Sequence, residues 1–555
     1  MPNVATIIVR SGAALFAALL TAAAVPDRLP ASPAGEAARV IIQAAAGHSA
    51  SELAPVVERA GGTMGPALDI INAQVALLPD AAIADITRHP AVARISRDHA
   101  IAGTMERTSA TVGALAVRET LGYDGAGVGI AIIDSGVTPW HDDLASAEGG
   151  QRVARFVDLV ANRPNAYDDY GHGTHVAGII AGDGFDSAGA RAGIAPGARL
   201  TVFKVLDDQG NGRISDVIAA FDYILRRRDT LNIRVVNLSV ASGVHESYNT
   251  DALALAAKRL VEAGIVVVAA AGNRGQTADG HDAYSGITSP GNAPWVLTVG
   301  ASNHMGSIAR DDDQMAEFSS RGPTPLDLGA KPDLVAPGVG IESLSNADST
   351  FYRLLSPFLL EGTVPRGYLP YLSLTGTSMA APVVTGTIAL MLQANPALTP
   401  NAVKGILQYT AEVNRRYDPL TQGAGFLNAA GAVELARAFG TGAAISGSTQ
   451  TSWSRTVIWG NQLTRPASLP NDADQWASSV TWGSAIGSLS GNSTEPRNVV
   501  WGRRCGGSNC QDAWTLAAAH DESVVWGTNA DESVVWGTTT QDESVVWGTT
   551  VRQRH

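Results

Sequence analysis

Three residue types that together support nucleophilic chemistry occur in short, glycine-containing motifs of this 555-residue chain. Asp134 ends an apolar run, His172 stands between two glycines, and Ser378 opens an Ala-rich helical pattern. Histidine transfers protons near neutral pH, and a serine at a helix start feels the positive end of the helix dipole. Each residue alone has an ordinary explanation, such as a turn or a helix cap. Only their combination indicates a catalytic site.

A fourth polar residue, Asn273, follows a strand pattern and Gly272. Its amide could donate to an oxyanion that a backbone N–H also binds, although turn asparagines are more common. His172 and His175 lie on one predicted helical turn, which leaves a structural pair or a zinc site open. The zinc alternative is disfavoured because the glutamate of His-Glu-x-x-His is absent and the spacing is three rather than four.

The elements that must position these residues follow an alternating pattern across residues 108–440. Apolar, β-branched runs at 128–133, 200–205, 235–238 and 265–269 are separated by Ala-rich helical stretches. Strands that are apolar on both faces and separated by helices predict an α/β fold, with a parallel sheet covered by helices on both faces. Such sheets place chemistry at the carboxyl ends of their strands.

A small unit precedes this region. Residues 38–104 show strand, helix, strand, helix and strand patterns in that order, with one more strand expected in the middle. This order predicts a split βαβ arrangement, an α+β unit of the ferredoxin-like kind.

A Trp-Gly repeat tail follows, over residues 441–555. It holds all but two of the 11 tryptophans, and its last three Val-x-Trp-Gly units lie inside Asp-Glu-Ser-Val-Val-Trp-Gly-Thr. The units begin at Val457, Val480, Val499, Val524, Val534 and Val545. Because they are too short to bury a core alone, a weakly ordered, low-complexity tail is the simpler interpretation. An attachment or assembly module is the alternative.

With the order Asp, His, Asn and Ser, residues 117–436 resemble the subtilisin-like serine proteases. The blocks that match this family are 134–136, 172–178 and 376–382, which read DSG, HGTHVAG and GTSMAAP. All three in order leave little room for chance. A serine esterase of the α/β-hydrolase type would need Gly-x-Ser-x-Gly and the order Ser, Asp, His, which are not found here.

This resemblance implies a role for each matching residue. Ser378 would be the nucleophile, His172 the general base and acid, and Asp134 the carboxylate that orients the imidazole. Asn273 and the Ser378 N–H would bind the oxyanion. The substrate would be held by an extended edge and a primary pocket, formed by Ser239, Val240, Ala241, Ala271 and Gly272.

The family resemblance also implies the activity and its control. It predicts a serine endopeptidase that acts on polypeptide substrates through an acyl-enzyme intermediate. Residues 38–104 are similar to the inhibitory propeptide of these proteases, which acts as an intramolecular inhibitor until it is removed, here near residues 103–108. Arg274, beside the oxyanion asparagine, is expected to disfavour basic side chains in the primary pocket. The loop at 350–371 is longer than in the simplest members.

No cofactor is expected for catalysis, and no residue is assigned to a metal. Asp143 matches a calcium-binding position of many subtilisin relatives. The loop 182–192 lacks their ligand pattern, however, which argues against a structural calcium ion.

Composition and the N-terminus set the compartment and exclude other classes. The net charge of -13 argues against a nucleic-acid partner, and two cysteines, Cys505 and Cys510, cannot build a disulfide scaffold. Residues 1–24, with Arg10 ahead of the apolar run 11–24, predict a secretory signal peptide. The run is shorter than the roughly 20 residues that span a bilayer, so no stable membrane span is expected. The protein is therefore predicted to be secreted, extracellular or periplasmic.

A cell-surface binding or attachment protein that uses the C-terminal repeats is the alternative function. The complete set of Asp134, His172, Ser378 and Asn273 argues against it, because a degraded enzyme is expected to lose at least one of them.

Overall fold

The computed structural model describes residues 37–68, 72–97, 104–146, 150–277, 280–439, 449–470, 474, 476–483, 497–498, 534–535 and 544–545. The predicted signal peptide and both cysteines lie outside these residues. The chain divides into two compact units, Met1–Ala100 and Ile101–His555.

The described part of the first unit is a four-stranded antiparallel sheet with two α-helices. The strands lie in the order β2-β3-β1-β4. Alternate residues of β1, such as Val40 and Ile42, are buried with Leu53 and Leu78 in a core that belongs to this unit. The elements have the predicted order, and β2 is the strand expected in the middle. Their bounds are β1 Ala37–Ala44, α1 Ala54–Arg59, β2 Thr63–Leu68, β3 Ala73–Pro79, α2 Asp80–Ile86 and β4 Val92–Arg97.

The second unit contains the remaining described elements. Its helices are α3 Thr104–Thr111, α4 Ala114–Leu121, α5 His172–Ala181, α6 Ile214–Leu231, α7 Ala252–Glu262, α8 Thr350–Leu354, α9 Thr377–Ala394, α10 Pro400–Thr410, α11 Pro419–Gln422 and α12 Ala429–Ala438. Its strands are β5 Gly129–Asp134, β6 Ala145–Ser146, β7 Gly150–Gln151, β8 Val153–Asp158, β9 Arg199–Lys204, β10 Gly212–Arg213, β11 Ile233–Leu238, β12 Val266–Ala270, β13 Leu297–Asn303, β14 Gln314–Met315, β15 Leu334–Pro337, β16 Ile341–Leu344, β17 Leu359–Leu360, β18 Tyr371–Thr375, β19 Val457–Trp459, β20 Gln462–Thr464, β21 Arg497–Asn498, β22 Val534–Val535 and β23 Ser544–Val545.

An eight-stranded sheet forms the centre of this unit, in the order β14-β13-β12-β11-β5-β9-β8 with β15 also paired to β13. Apart from β14, which is antiparallel to β13, the neighbouring strands are parallel. Every residue of β5 and β12 is buried, which requires both faces of the sheet to be covered. The architecture is α/β, as the alternating sequence pattern predicts.

Helix α9 is apolar around its whole circumference and therefore lies in the core. It packs against β11, β12, β13 and β15 and against helices α5 and α12, whereas α6 and α7 pack against each other. Among the described residues, α9 is the one helix long and apolar enough to cross a membrane. Since 89% of its apolar window is buried inside the unit, it is accounted for as a core helix.

The packed core continues beyond residue 440, where the repeat tail was predicted to begin. Four tryptophans of this region are buried in the same core as α9: Trp453, Trp459, Trp476 and Trp482. Two Val-x-Trp-Gly units contact each other here, with the rings of Trp459 and Trp482 4.4 Å apart. A Cβ placed on Gly460 would lie 3.0 Å from the Gly483 Cα, so the glycines permit this approach. The described residues between 449 and 483 therefore pack into the core of the second unit, whereas the bounds of the repeat tail stay a prediction.

Candidate active site

The central pair of the site is Asp134, the last residue of β5, and His172, the first residue of α5. His172 Nδ1 donates to Asp134 Oδ1 at 2.7 Å, and both side chains are fully buried. The Ser135 N–H donates to the same oxygen at 2.7 Å, whereas Asp134 Oδ2 has no hydrogen-bond partner among the described residues. A carboxylate at Nδ1 places the imidazole proton there, which makes Nε2 the basic nitrogen.

Gly171 sets the entry of the chain into α5. Its φ of 106° is left-handed, and a Cβ at this position would lie 2.6 Å from Ser349 Oγ. A glycine is therefore required immediately before His172.

Asp168 joins the loop after β5 to the first turn of α5 and was not singled out in the sequence. Its Oδ1 accepts from Ser135 Oγ and from the Gly171 N–H, both at 2.8 Å. Its Oδ2 accepts from the Thr174 N–H at 2.8 Å and from Thr174 Oγ1 at 2.6 Å. These bonds fix the position of His172 relative to Asp134. The sequence feature that could have indicated this role is the position of a carboxylate four residues before the histidine.

Lys204 supports the same strand end from β9. Its fully buried Nζ donates to the carbonyl oxygens of Ser135 and Leu206, at 2.7 and 2.6 Å, and pairs with Asp169 at 2.6 Å. Three acceptors satisfy its three N–H groups, which a buried ammonium requires.

Ser378 is the second residue of α9, and its environment depends on a proline one turn later. Pro382 has no N–H, so the Ser378 carbonyl lacks the usual helical donor. Ser239 Oγ donates to that carbonyl instead, at 2.9 Å, and Ser378 Oγ donates to the Ser239 carbonyl at 3.1 Å. Asn237 Nδ2 in turn donates to Ser239 Oγ at 3.0 Å. The nucleophile candidate is thus fastened to the carboxyl end of β11.

Asn273 is held through its side-chain carbonyl by Thr377, the residue before Ser378. The Thr377 N–H and Oγ1 donate to Asn273 Oδ1 at 3.0 and 2.8 Å. This contact places Oδ1 toward α9. The NH2 group is the other end of the amide and is the end that can donate to an oxyanion. Sequence analysis missed Thr377, although it lies inside the GTSMAAP block.

The residues expected to bind substrate lie on two segments with common neighbours. Ser242, which follows Ala241, exchanges backbone hydrogen bonds with Ser289 at 3.1 and 3.0 Å. Ala271 accepts from the Thr288 N–H at 3.2 Å. The segments that contain residues 239–241 and 271–272 therefore both lie beside the segment of Thr288 and Ser289. Their role toward substrate stays a prediction.

His175 serves the packing of α5 and takes no part in a metal pair with His172. Its Nε2 donates to the carbonyl oxygens of Leu372 and Ile341, at 2.9 and 3.1 Å. Burial lowers the pKa of His175 to about 3, so the ring is neutral. Both observations favour the structural alternative.

A second buried cluster, formed by His141, Asp143 and Asp186, offers metal-ligand atoms within 4.8 Å of one another. Burial raises the pKa of Asp143. The ring of His141 is fully engaged by the main chain, since Nδ1 accepts from the Asp143 N–H at 3.2 Å and Nε2 donates to the Pro370 carbonyl at 3.0 Å.

An arginine supplies the positive charge at this cluster. Arg366 Nε donates to Asp186 Oδ1 at 2.9 Å, and the same guanidinium pairs with Asp142. Tyr371 Oη donates to Asp143 Oδ2 at 2.8 Å. Calcium requires about six to eight oxygen ligands, and most of the oxygens here are already engaged. The residues therefore fit the partly exposed guanidinium of Arg366 better than a calcium ion.

An aspartate–histidine pair at a strand end, a serine at a helix start and an asparagine held by its side-chain carbonyl are the residue types that the serine hydrolase class uses. The model of the subtilase family matches residues 125–442 of this chain. The chain belongs to the subtilase family and is a serine endopeptidase.

Individual relatives agree with this assignment. The chain is 38% identical over 322 residues to serine protease AprX of Bacillus subtilis (strain 168), which covers 57% of this chain and 68% of the relative. It is 31% identical over 367 residues to subtilisin E of the same organism, covering 65% and 81%. It is 32% identical over 356 residues to an extracellular serine proteinase of Thermus sp. (strain Rt41A), covering 62% and 72%.

Proposed function

We propose that this chain is a secreted serine endopeptidase that hydrolyses peptide bonds through Asp134, His172 and Ser378. The observation that carries the proposal is the 2.7 Å hydrogen bond between His172 Nδ1 and Asp134 Oδ1 in a fully buried pair. It makes Nε2 the nitrogen that accepts the proton of a serine hydroxyl. For this transfer the Ser378 hydroxyl must turn from the Ser239 carbonyl toward His172.

The reaction would follow from these positions. Ser378 Oγ attacks the scissile carbonyl carbon while His172 Nε2 takes the hydroxyl proton. Asn273 Nδ2 and the Ser378 N–H bind the resulting oxyanion. When the C–N bond breaks, His172 gives the proton to the leaving amine and the acyl group stays on Ser378. A water molecule, deprotonated by the same nitrogen, then releases the acid and restores the serine.

Polypeptide substrates would lie extended along Ser239, Val240 and Ala241, with one side chain beside Ala271 and Gly272. Pairing through the main chain supports broad specificity. No cofactor takes part in these steps. Arg274 would disfavour basic side chains in the pocket, and strong cleavage after Lys or Arg in a peptide library would overturn that assignment.

Residues 38–104 would act as an inhibitory propeptide, after export directed by residues 1–24. The support is that this segment forms a four-stranded sheet around a core of its own, ahead of the family domain. Its removal near residues 103–108 would be performed by the enzyme itself.

The test compares the secreted wild type with Ser378→Ala and with Ser356→Ala, a change at an exposed serine. Casein hydrolysis, labelling by a fluorophosphonate and the N-terminal mass are measured for each. Wild type and Ser356→Ala are expected to be active, labelled and processed. Ser378→Ala should lose on the order of 10⁶-fold in kcat, the loss known for the nucleophile of subtilisin, and should retain residues 38–104. Activity or labelling that survives in Ser378→Ala would overturn the proposal.

A further inference from the structure

The C-terminal repeats are the sequence feature that the proposed function leaves unused. Three copies of Asp-Glu-Ser-Val-Val-Trp-Gly-Thr occupy residues 521–528, 531–538 and 542–549. The Val-Val pair favours extended backbone, and the glycine after tryptophan ends it. The second and third copies each contribute a short strand, β22 and β23, to the second unit.

Strand β22 lies beside the segment that leads to the nucleophile. It pairs in parallel with β18, with Val534 opposite Leu374 and Val535 opposite Thr375. Because β16 already pairs with Leu374 from one side, β22 takes the other edge of β18. Strand β18 ends at Thr375, three residues before Ser378.

Strand β23 lies beside a segment tied to the aspartate of the site. It pairs antiparallel with β10, with Val545 opposite Gly212 and Ser544 opposite Arg213. Gly212 also forms a β-bridge with Leu206, whose carbonyl accepts from Lys204 Nζ at 2.6 Å. That same Nζ donates to the carbonyl of Ser135, which follows Asp134. Strand β10 is thus connected through two hydrogen bonds to the strand end that bears Asp134.

We propose that the Ser-Val-Val segments of the second and third repeats are built-in ligands of the edges of β18 and β10, where they compete with polypeptide substrates. This inference rests on the proposed function, because it assumes that substrate binds beside Ser378. Addition of a strand to an exposed edge recognises main chain, so a repeat of the same chain can use an edge that an extended substrate would use.

The length and charge of the repeats are consistent with this arrangement. Eight residues, 536–543, separate β22 from β23, and when extended they span up to about 30 Å. One chain can therefore place both segments at once.

The charges of the repeats and of β10 have opposite signs. Each segment follows an acidic Asp-Glu pair in the sequence, and the basic Arg213 on β10 is exposed. Weak edge contacts become effective because a tethered ligand has a local concentration on the order of millimolar.

The test uses the full-length chain with Val534→Pro and Val545→Pro combined, because proline removes a strand N–H and fixes φ. Val524→Pro, at the same position of the first repeat, is the matched control. For a peptide substrate, the double variant is expected to show KM lowered by up to on the order of tenfold, with kcat unchanged. The control is expected to keep the wild-type KM. A synthetic peptide of residues 542–549 should inhibit the double variant competitively.

A second measurement separates this inference from the proposed function. Amide hydrogen exchange at residues 212–213 and 374–375 is followed in a Ser378→Ala background, where no turnover is needed. Faster exchange in the double variant, but not with Val524→Pro, supports the pairing whether or not Ser378 is the nucleophile. Equal exchange together with equal KM in all variants overturns it. Protection that grows with protein concentration also overturns it, because the repeats would then pair between chains.

Discussion

In the described part of the second unit, two buried clusters of histidine and aspartate differ in what the histidine contacts. At the first cluster, His172 donates from Nδ1 to the carboxylate of Asp134 at 2.7 Å. At the second, His141 uses both ring nitrogens on the main chain, at 3.2 and 3.0 Å. The neighbouring Asp143 Oδ2 accepts from Tyr371 Oη, and Asp186 Oδ1 accepts from Arg366 Nε.

This difference shows that residue type and burial do not make a catalytic pair. A histidine becomes a general base when a carboxylate holds one nitrogen and directs the other at the reacting group. Once both nitrogens are engaged by the main chain, as in His141, the ring is held in one orientation and neither nitrogen is directed at a reacting group. The first cluster is arranged for proton transfer, and the second for fastening the loop that carries Arg366.

The largest difference is expected between the matched changes Asp134→Asn and Asp143→Asn. Asp134→Asn favours the wrong tautomer of His172 and should lower kcat on the order of 10⁴-fold. Asp143→Asn should leave kcat near the wild-type value, because Asp143 contacts neither His172 nor Ser378 in the described hydrogen bonds. Steady-state kinetics on a peptide substrate measure both. Similar losses of kcat in two folded variants would contradict the division into a catalytic and a structural cluster.

A smaller effect is expected for Asp168→Asn, which tests how far the first cluster depends on positioning. Asparagine keeps one acceptor oxygen but cannot accept the bonds of both Ser135 and Thr174. A shift of His172 by a fraction of an ångström should lower kcat on the order of 10²-fold, with little change in KM. A purely structural role for Asp168 would instead lower the melting temperature and leave kcat per folded molecule unchanged.

His175, a buried histidine on the same helix as His172, should make stability depend on pH. Burial lowers its pKa to about 3 in the folded protein, against an ordinary value of 6.5. The unfolded chain therefore binds the proton first as pH falls. The stability from the neutral ring is complete above pH 6.5 and is lost as pH falls toward 3. In this window the free energy of unfolding should change by up to about 1.4 kcal/mol per pH unit, and His175→Gln should reduce that slope. Urea unfolding at several pH values measures it, and an unchanged slope in the variant would contradict the assignment.

The smallest effect is expected for Arg366→Met at the second cluster. Loss of the partly exposed guanidinium leaves the buried carboxylate of Asp186 without its counter-charge, so the melting temperature should fall by a few degrees while kcat is retained. Arg353→Met, at an exposed arginine of the same insertion, is the control. EDTA should not change the melting temperature of the wild type. A wild type that melts earlier in EDTA and recovers with calcium, together with no effect of Arg366→Met, would show that a metal ion holds this cluster.

The catalytic candidates could be predicted from the sequence because each lies in a short block with a local signal. The apolar runs locate β5, β9, β11 and β12, and the glycines on either side of His172 mark a turn that needs close approach. The α/β class follows from the same alternation. These features depend on residues that are close together in the sequence, within a single strand, helix or turn. Periodicity and turn chemistry act over that range.

Contacts between distant parts of the chain could not be predicted in this way. Arg366 meets Asp186 across 180 positions, and Thr377 meets Asn273 across 104. The domain boundary at residue 440 stays a prediction. The burial of Trp453, Trp459, Trp476 and Trp482 could not be predicted, because a tryptophan in a repeat has the same sequence context whether it is exposed or packed. The close approach of Gly460 and Gly483 depends on the tertiary structure and is not encoded in either repeat alone.

The sequence by itself therefore determined the family, the strand and helix order and the candidates for the reactive side chains. The tertiary structure decided which histidine is held by a carboxylate, which acidic cluster receives an arginine and which repeats are buried. The physical reason is that hydrogen bonds and close packing depend on positions in space that no local sequence pattern encodes.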